Sequence, residues 1–244
     1  MDCMTATDLT DSTDWITALL LAPPAGSGRR ERTRAALLQA GLEIMAAGET
    51  EIPVLAITKK AGVSNGSFYN FFTDKEEFFE ASAEVAAARL SDLMDRPLTG
   101  ATDSIAARVI TNFRIIGRAH RIAPVLSKVL IRRGAQYYST GGGFVAKARR
   151  DLVDGAAAGD FHVTDPEGVV GGVVGTMVML GQRLHDHPEL DAAVTTDAVA
   201  RDVLRMLGVP DADAERLLAA PLPVPDPGQR TVRGVTHRPC GDHV

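Results

Sequence analysis

A chain of 244 residues with 45% hydrophobic and 23% charged residues has the apolar material for a sizeable core, which excludes disorder of the whole chain. The formal net charge of -5 excludes a uniformly basic nucleic-acid binder. Two cysteines, Cys3 and Cys240, are too few and too far apart for a disulfide framework or a structural zinc site.

Residues 1–28 are polar, open on Asp2, Asp8, Asp11 and Asp14, and carry Pro23-Pro24-Ala25-Gly26-Ser27-Gly28. That pattern predicts a flexible leader and no secretory signal. Within it Trp15, Ile16, Leu19, Leu20 and Leu21 have helical spacing, leaving open a short docked helix or a frayed tail. Leu38, Leu42 and Met45 recur at i, i+4, i+7 and predict a helix from Arg30 to Ala47, stopped by Gly48. A short helix follows from Pro53 to Lys60, and a second runs from an N-cap at Ser64 to Asn70. Thr73 or Asp74 caps the next, which ends near Asp95. Further helices fit Ser104–His120, Pro124–Gln136, Phe144–Ala158, Pro166–His185, Asp191–Leu207 and Asp211–Ala220. Prolines at alternate positions from Pro221 make residues 221–244 a disordered tail. The longest apolar stretch, Gly168 to Gly181, is too short to span a bilayer, so no membrane partner is expected and the location is read as cytoplasmic. No alternating strand pattern and no internal repeat is visible. The fold class is all-α.

The informative stretch is residues 30–80. Two short helices joined by a glycine turn, with a longer helix before them, form the pattern of a helix-turn-helix, whose second helix enters the major groove of DNA. The run Ala61-Gly62-Val63-Ser64-Asn65-Gly66-Ser67-Phe68-Tyr69, with Phe72 and Lys75 beyond it, resembles the DNA-binding domain of the tetracycline-repressor (TetR) family. Gly62 suits a left-handed turn, Val63 and Phe68 suit the interior, and Ser64 suits a helix cap. Asn65 is placed for a base edge, Gly66 for close backbone approach, and Ser67 for a base or phosphate. By the resemblance Tyr69 and Lys75 contact phosphates, with core packing and a solvated charge as their ordinary alternatives. Asn70, Lys59, Lys60 and the basic arm Arg29, Arg30, Arg32 and Arg34 complete the DNA-facing set. Phe71 stands where many relatives have His or Tyr, Ile52-Pro53 where Thr or Ser opens the second helix, and Thr58 where alanine is usual.

The resemblance divides the chain into a DNA-binding domain over 29–80 and a helical effector-binding and dimerisation domain over 81–220. From Ser104 to Arg150 there are ten Lys or Arg and no acid, whereas Asp151 to Arg216 has thirteen acids and four bases. Two explanations stay open: helices of complementary charge face one another, or an anionic effector such as an acyl-CoA or fatty acid is held by the arginines. Phe113, Ile116, His120, Tyr137, Tyr138 and Met177 are the candidate pocket residues, against ordinary core packing. His185, Asp186 and His187 do not share a helix face, so neither a metal nor a cofactor is expected. The predicted helix 166–185 is apolar around most of its circumference, which predicts a subunit interface through Val170, Val173, Val174, Met177 and Leu184. Val199, Val203 and Met206 of the next helix would join it.

These readings imply a homodimeric, ligand-controlled regulator of transcription, a repressor that binds a pseudo-palindromic operator on double-stranded DNA and is released by a small-molecule effector. Activation, or DNA binding without a ligand, is the nearer alternative. A helical small-molecule enzyme is the more distant one, and no nucleophile–base motif or phosphate loop supports it.

Overall fold

A computed structural model describes Ile16, Leu20, residues 28–95 and residues 104–222. Of the tail expected over 221–244, Leu222 packs against the core, and residues 223–244 lie outside the described residues, as does the rest of the expected leader. The described residues form helices without a strand, in agreement with the all-α reading. The helices are α1 (Arg29–Ala47), α2 (Val54–Ala61), α3 (Asn65–Tyr69), α4 (Lys75–Met94) and α5 (Ile105–Ile122). They continue as α6 (Pro124–Thr140), α7 (Gly143–Ala158), α8 (Pro166–Asp186), α9 (Ala192–Met206) and α10 (Asp211–Ala219).

The helix starts are set by side chains that satisfy otherwise unpaired N–H groups. Carboxylates of Asp74, Asp165 and Asp191 accept from the amides of Glu77, Gly168 and Val194 at 2.8, 2.9 and 2.9 Å. Between the two predicted caps of α4, Asp74 is therefore the cap, while Glu77 reaches back to the Thr73 amide at 2.7 Å. Ser64 departs from expectation: it occupies the N-cap position of α3, but its hydroxyl lies 2.8 Å from the Ser67 hydroxyl and caps no amide. At the turn between α2 and α3, Gly62 has φ +67°, a conformation in which a Cβ is penalised.

Around that turn the core is aromatic. Phe68, Phe72 and Phe78 pack mutually with ring centroids 5.2 to 5.6 Å apart, and Leu37, Leu42 and Ile57 close over them. The α1–α4 crossing is close because residue 41 is glycine; a Cβ there would stand 2.1 Å from Ser82 Oγ. Ile16 and Leu20 belong to the same core, at 0% and 4% exposure, and Arg89 donates to the Leu20 carbonyl at 2.9 Å. Of the two alternatives for the leader, docking holds for these two residues. Ile16→Val should therefore cost about 1 kcal/mol of stability, read as a lower urea midpoint at an unchanged slope.

In the larger half, α5 lies at the centre and packs on α6, α7, α8, α9 and α10. Helix α6 also packs on α1, α4 and α8, so it touches both halves. Complementary charge explains the uneven sequence. Arg108 pairs with Asp151 at 3.1 Å, Arg114 and Arg118 both pair with Asp197 at 3.0 Å, and Arg149 pairs with Glu167. No helix of the described residues is long and apolar enough to cross a membrane.

Candidate DNA-reading face and effector cavity

The α2–α3 unit exposes most of the predicted DNA set. Asn65, Gly66 and Tyr69 of α3 are exposed together with Ser64 and Asn70 that flank it, while Ser67 and Lys75 are half-buried. Tyr69 is 60% exposed, which removes the core-packing alternative for its ring as a whole; only one edge rests against Phe68, at 5.3 Å between centroids. A Cβ on Gly66 would meet nothing within 4 Å, so nothing inside the protomer requires glycine there. Arg30 stands 5.6 Å from the centre of the Phe71 ring, and Arg34 stands 6.0 Å from that of Phe72. Phe71 thus brings the basic arm to the end of α3, a role that its aromatic character alone did not reveal. Lys59 is exposed, whereas Lys60 pairs with Glu43 at 2.9 Å, and this contact helps hold the Glu43 carboxyl below its ordinary range.

Between α4, α5, α6, α7 and α8 lies a cavity of about 820 Å³ of empty space, part of it open to solvent. Its wall is almost entirely apolar with a few polar groups, the character of small-molecule sites. Phe113, Ile116, His120 and Met177 of the predicted pocket residues line it, with Leu90 and Met94 from α4 and Leu130, Ile131 and Gly134 from α6. Two predicted residues do not. Tyr137 is buried between α4 and α6, where its hydroxyl donates to the Ala83 carbonyl at 2.9 Å and burial pushes its pKa up to about 12. Tyr138 points outward, with Arg149 5.9 Å from its ring centre. Both lie on predicted pocket helix α6, but α6 turns only part of its surface to the cavity.

Sequence reasoning missed Asn112 and Asp151, which with His120 supply the polar part of the wall. Asn112, Ile116 and His120 fall at i, i+4, i+8, so two polar residues inside an otherwise apolar stripe of α5 were the available signal. Asp151 is 4% exposed and receives Arg108 on both oxygens, at 3.1 and 3.2 Å. Among the described residues no lysine or arginine lines the cavity. The cavity wall does not support the anionic-effector expectation: Arg108, Arg114, Arg118, Arg133, Arg149 and Arg150 are engaged by carboxylates, Arg121 by the carbonyls of His187 and Leu190, and the one charged group in the wall is an acid.

The interface expectation also needs correction. Val170, Val173, Leu184 and Val203 are between 0% and 7% exposed within a single protomer, because α8 is covered by α5, α6, α7 and α9. Val174 and Met177 face the cavity, and Val199 is half-buried. Outward on α8 and α9 are Gly168, Gly175, Met179, Val194 and Ala198, with Met206 beside Gly172, among the charged Glu167, Arg183, Asp186, Asp202 and Arg205. As their spacing implies, His185 and His187 turn to different partners, His185 to Ser127 and His187 to Glu189.

A helix-turn-helix with an exposed second helix, joined through α4 to a helical body that holds an apolar cavity, defines a one-component DNA-binding regulator. Residues 37–82 match the sequence profile of bacterial regulatory proteins of the tetR family, and residues 103–219 match that of the tetracyclin repressor-like C-terminal domain. The chain belongs to the TetR family of transcription regulators, with the DNA-binding helix-turn-helix of that family.

Solved structures agree in fold. RolR in complex with its ligand resorcinol is 27% identical, with 81% of this chain and 98% of that one covered at a TM-score of 0.55. The fatty acid degradation regulator FadR from Bacillus halodurans is 18% identical over 74% of this chain and 97% of that one, at a TM-score of 0.61. A gamma-butyrolactone receptor is 22% identical over 78% and 98%, at 0.54. No curated protein sequence matches the chain.

Proposed function

We propose that the chain is a transcription repressor that binds its operator as a homodimer and is released when a small uncharged molecule enters the cavity. The observation that carries this reading is the sharing of α4 and α6: both line the cavity, and both pack on α1 of the DNA-binding unit. A ligand that fits one arrangement of these helices better than another shifts the population between them, and with it the spacing of two α3 helices in a dimer. The outer face of α8 and α9 supports the dimer, with Met179 and Val194 at 64% and 70% exposure beside small residues that allow close approach.

The apolar wall with a few neutral or acidic polar groups favours an uncharged effector of aromatic or alicyclic shape. Resorcinol, a benzene ring with two hydroxyls and the ligand of RolR, has that chemistry and is the first compound to try. DNA contact is assigned to Ser64, Asn65, Gly66, Ser67, Tyr69 and Asn70, with Lys59, Lys75 and Arg30 on the backbone.

Fluorescence anisotropy on fragments from upstream of the chain's own gene tests both halves of the reading. Lys75→Glu should weaken binding to every fragment by about tenfold or more and lower the salt slope by roughly one to two, because a phosphate contact is lost and a repulsion added. Asn65→Ala should instead change the ranking among fragments. Parent and Tyr69→Ala/Lys75→Ala proteins of equal affinity would remove α3 from the interface. A reporter gene that rises rather than falls when the protein is expressed would replace repression by activation.

A further inference from the structure

The side chains of the cavity wall are apolar except for three, and two of these are already engaged. Asp151 accepts from Arg108 on both oxygens, at 3.1 and 3.2 Å. His120 has Nδ1 2.7 Å from the Ser127 hydroxyl, which also lies 2.8 Å from His185 Nε2 of α8. The other edge of the His120 ring rests against Gly181 and the Met177 carbonyl. Asn112 is the third. It is 7% exposed and stands on α5 beside Val109, Phe113 and Ile116, which line the cavity too. Among the described residues its amide makes no hydrogen bond. Both amide atoms nevertheless retain accessible surface, and the open space that Asn112 meets is the cavity.

An asparagine amide holds an acceptor and a donor side by side in one plane: the oxygen accepts, and the nitrogen donates two hydrogen bonds. Left unpaired in apolar surroundings, such a group costs free energy, and a leucine of similar shape would fill the wall without that cost. The group that satisfies both atoms at once is another amide, either primary or cis about its C–N bond. Its N–H donates to Oδ1 while its carbonyl accepts from Nδ2. A hydroxyl, such as either one on resorcinol, meets one atom well and leaves the second unpaired. A carboxylate would repel Oδ1, and the acid Asp151 shares the wall.

We propose that Asn112 is the specificity-determining residue of the cavity, and that the effector is an apolar ring carrying an uncharged amide, as a primary carboxamide or a lactam, paired with the Asn112 amide by two hydrogen bonds. The proposal rests on the reading of the cavity as the effector site. Such a pair discriminates against a hydrocarbon of the same shape, because both polar atoms of the site would stay unpaired. A ketone, which only accepts, makes half of the pair.

Three planar compounds of one shape, benzamide, acetophenone and α-methylstyrene, present the donor–acceptor pair, the acceptor alone and neither. Calorimetry compares them on the full-length parent and on Asn112→Leu. The substitution should weaken benzamide by about tenfold or more, weaken acetophenone less, and leave α-methylstyrene unchanged or tighter. Its thermal midpoint should not fall, since no hydrogen bond of the folded protein is lost. A second readout needs no change at the site. The chain has three asparagines, Asn65, Asn70 and Asn112, so nitrogen-15 spectra of asparagine-labelled protein show three side-chain amides, assigned with Asn65→Ala and Asn70→Ala. Benzamide should move the Asn112 signal further than α-methylstyrene does, and this decides the matter if Asn112→Leu does not fold. A parent protein that does not bind benzamide, an Asn112 signal that ignores it, or a benzamide affinity that falls no more than that of α-methylstyrene in Asn112→Leu overturns the proposal. Release of promoter DNA by resorcinol and by benzamide is read separately on the parent. Release by resorcinol with benzamide unbound sinks the role of Asn112 alone. Asn112-dependent binding of benzamide without release by either compound sinks the repressor reading and leaves the binding site.

Discussion

Replacing Asp197 with alanine is expected to lower the free energy of unfolding by about 3 kcal/mol. Arg114 and Arg118 of α5 both direct their guanidinium forks at this one carboxylate on α9, with nitrogen–oxygen distances of 3.0 to 3.2 Å. Their side chains are only 8% and 11% exposed, so without Asp197 two cations would be left in a poorly hydrated seam. Arg114 keeps one further acceptor, the Ala220 carbonyl at 2.8 Å, and Arg118 keeps the Arg114 carbonyl at 3.0 Å. These acceptors, and the 32% exposure of Asp197 itself, place the effect at the lower end of the range for a broken buried pair. Burial opposes ionisation of Asp197, but the hydrogen bonds and charges of Arg118 and Arg114 outweigh it and hold the carboxyl below its ordinary value. The cluster therefore stabilises the fold above the pKa of the unfolded carboxyl and is lost as pH falls through the lower folded value. Urea denaturation at pH 7 reads the loss. Asp197→Asn should fall between parent and alanine, and an alanine variant within 0.5 kcal/mol of the parent would show that the arginines rehydrate.

Acid should destabilise the protein over a window set by His120. In the unfolded chain the ring takes a proton near pH 6.5, whereas in the fold it does so only at about 4. Between those values the unfolded state binds the extra proton, so stability rises with pH there and is complete above the upper one. A displacement of this size corresponds to about 3 kcal/mol, lost as pH falls through the window. His185 adds in the same direction, because burial first, then Lys128 and Arg121, lower its pKa as well. Unfolding midpoints across the window check this: the parent should lose stability steeply on acidification, and His120→Gln, with no group to titrate at that position, should do so less. Equal slopes for the two proteins would mean that the ring protonates in the fold as readily as in water.

The helix-turn-helix was legible because its determinants are local. Gly62 is a turn residue, and Phe68, Phe72 and Phe78 follow within one short segment. The cap at Asp74 was legible for the same reason. Helix α8 was not, because a helix apolar on nearly every side carries no record of which side meets which neighbour. Its Val170 and Leu184 went to the protomer's own core, its Met177 to the cavity, and its Gly181 to the His120 ring. The charge runs misled in part, since their length was visible but their partners, 43 and 83 residues away for Arg108 and Arg114, were not. The His120–Ser127–His185 arrangement joins three helices, and no spacing within any one of them announces it.

Helix α6 carries Leu130, Ile131 and Gly134 in the cavity wall, while Arg132 lies against Gly48 at the end of α1 and Tyr137 is fastened to α4. On the repressor reading proposed above it would act like a rocker arm, borne at its middle by α1 and further along by α4. A bulkier side chain at Gly134, where a Cβ would already press within 2.8 Å of Val178, is expected to push α6 away from α8 with no guest present. On the same reading, substitutions along this one helix should lock the regulator without touching nucleic acid or effector, and a screen for locked mutants should collect them here.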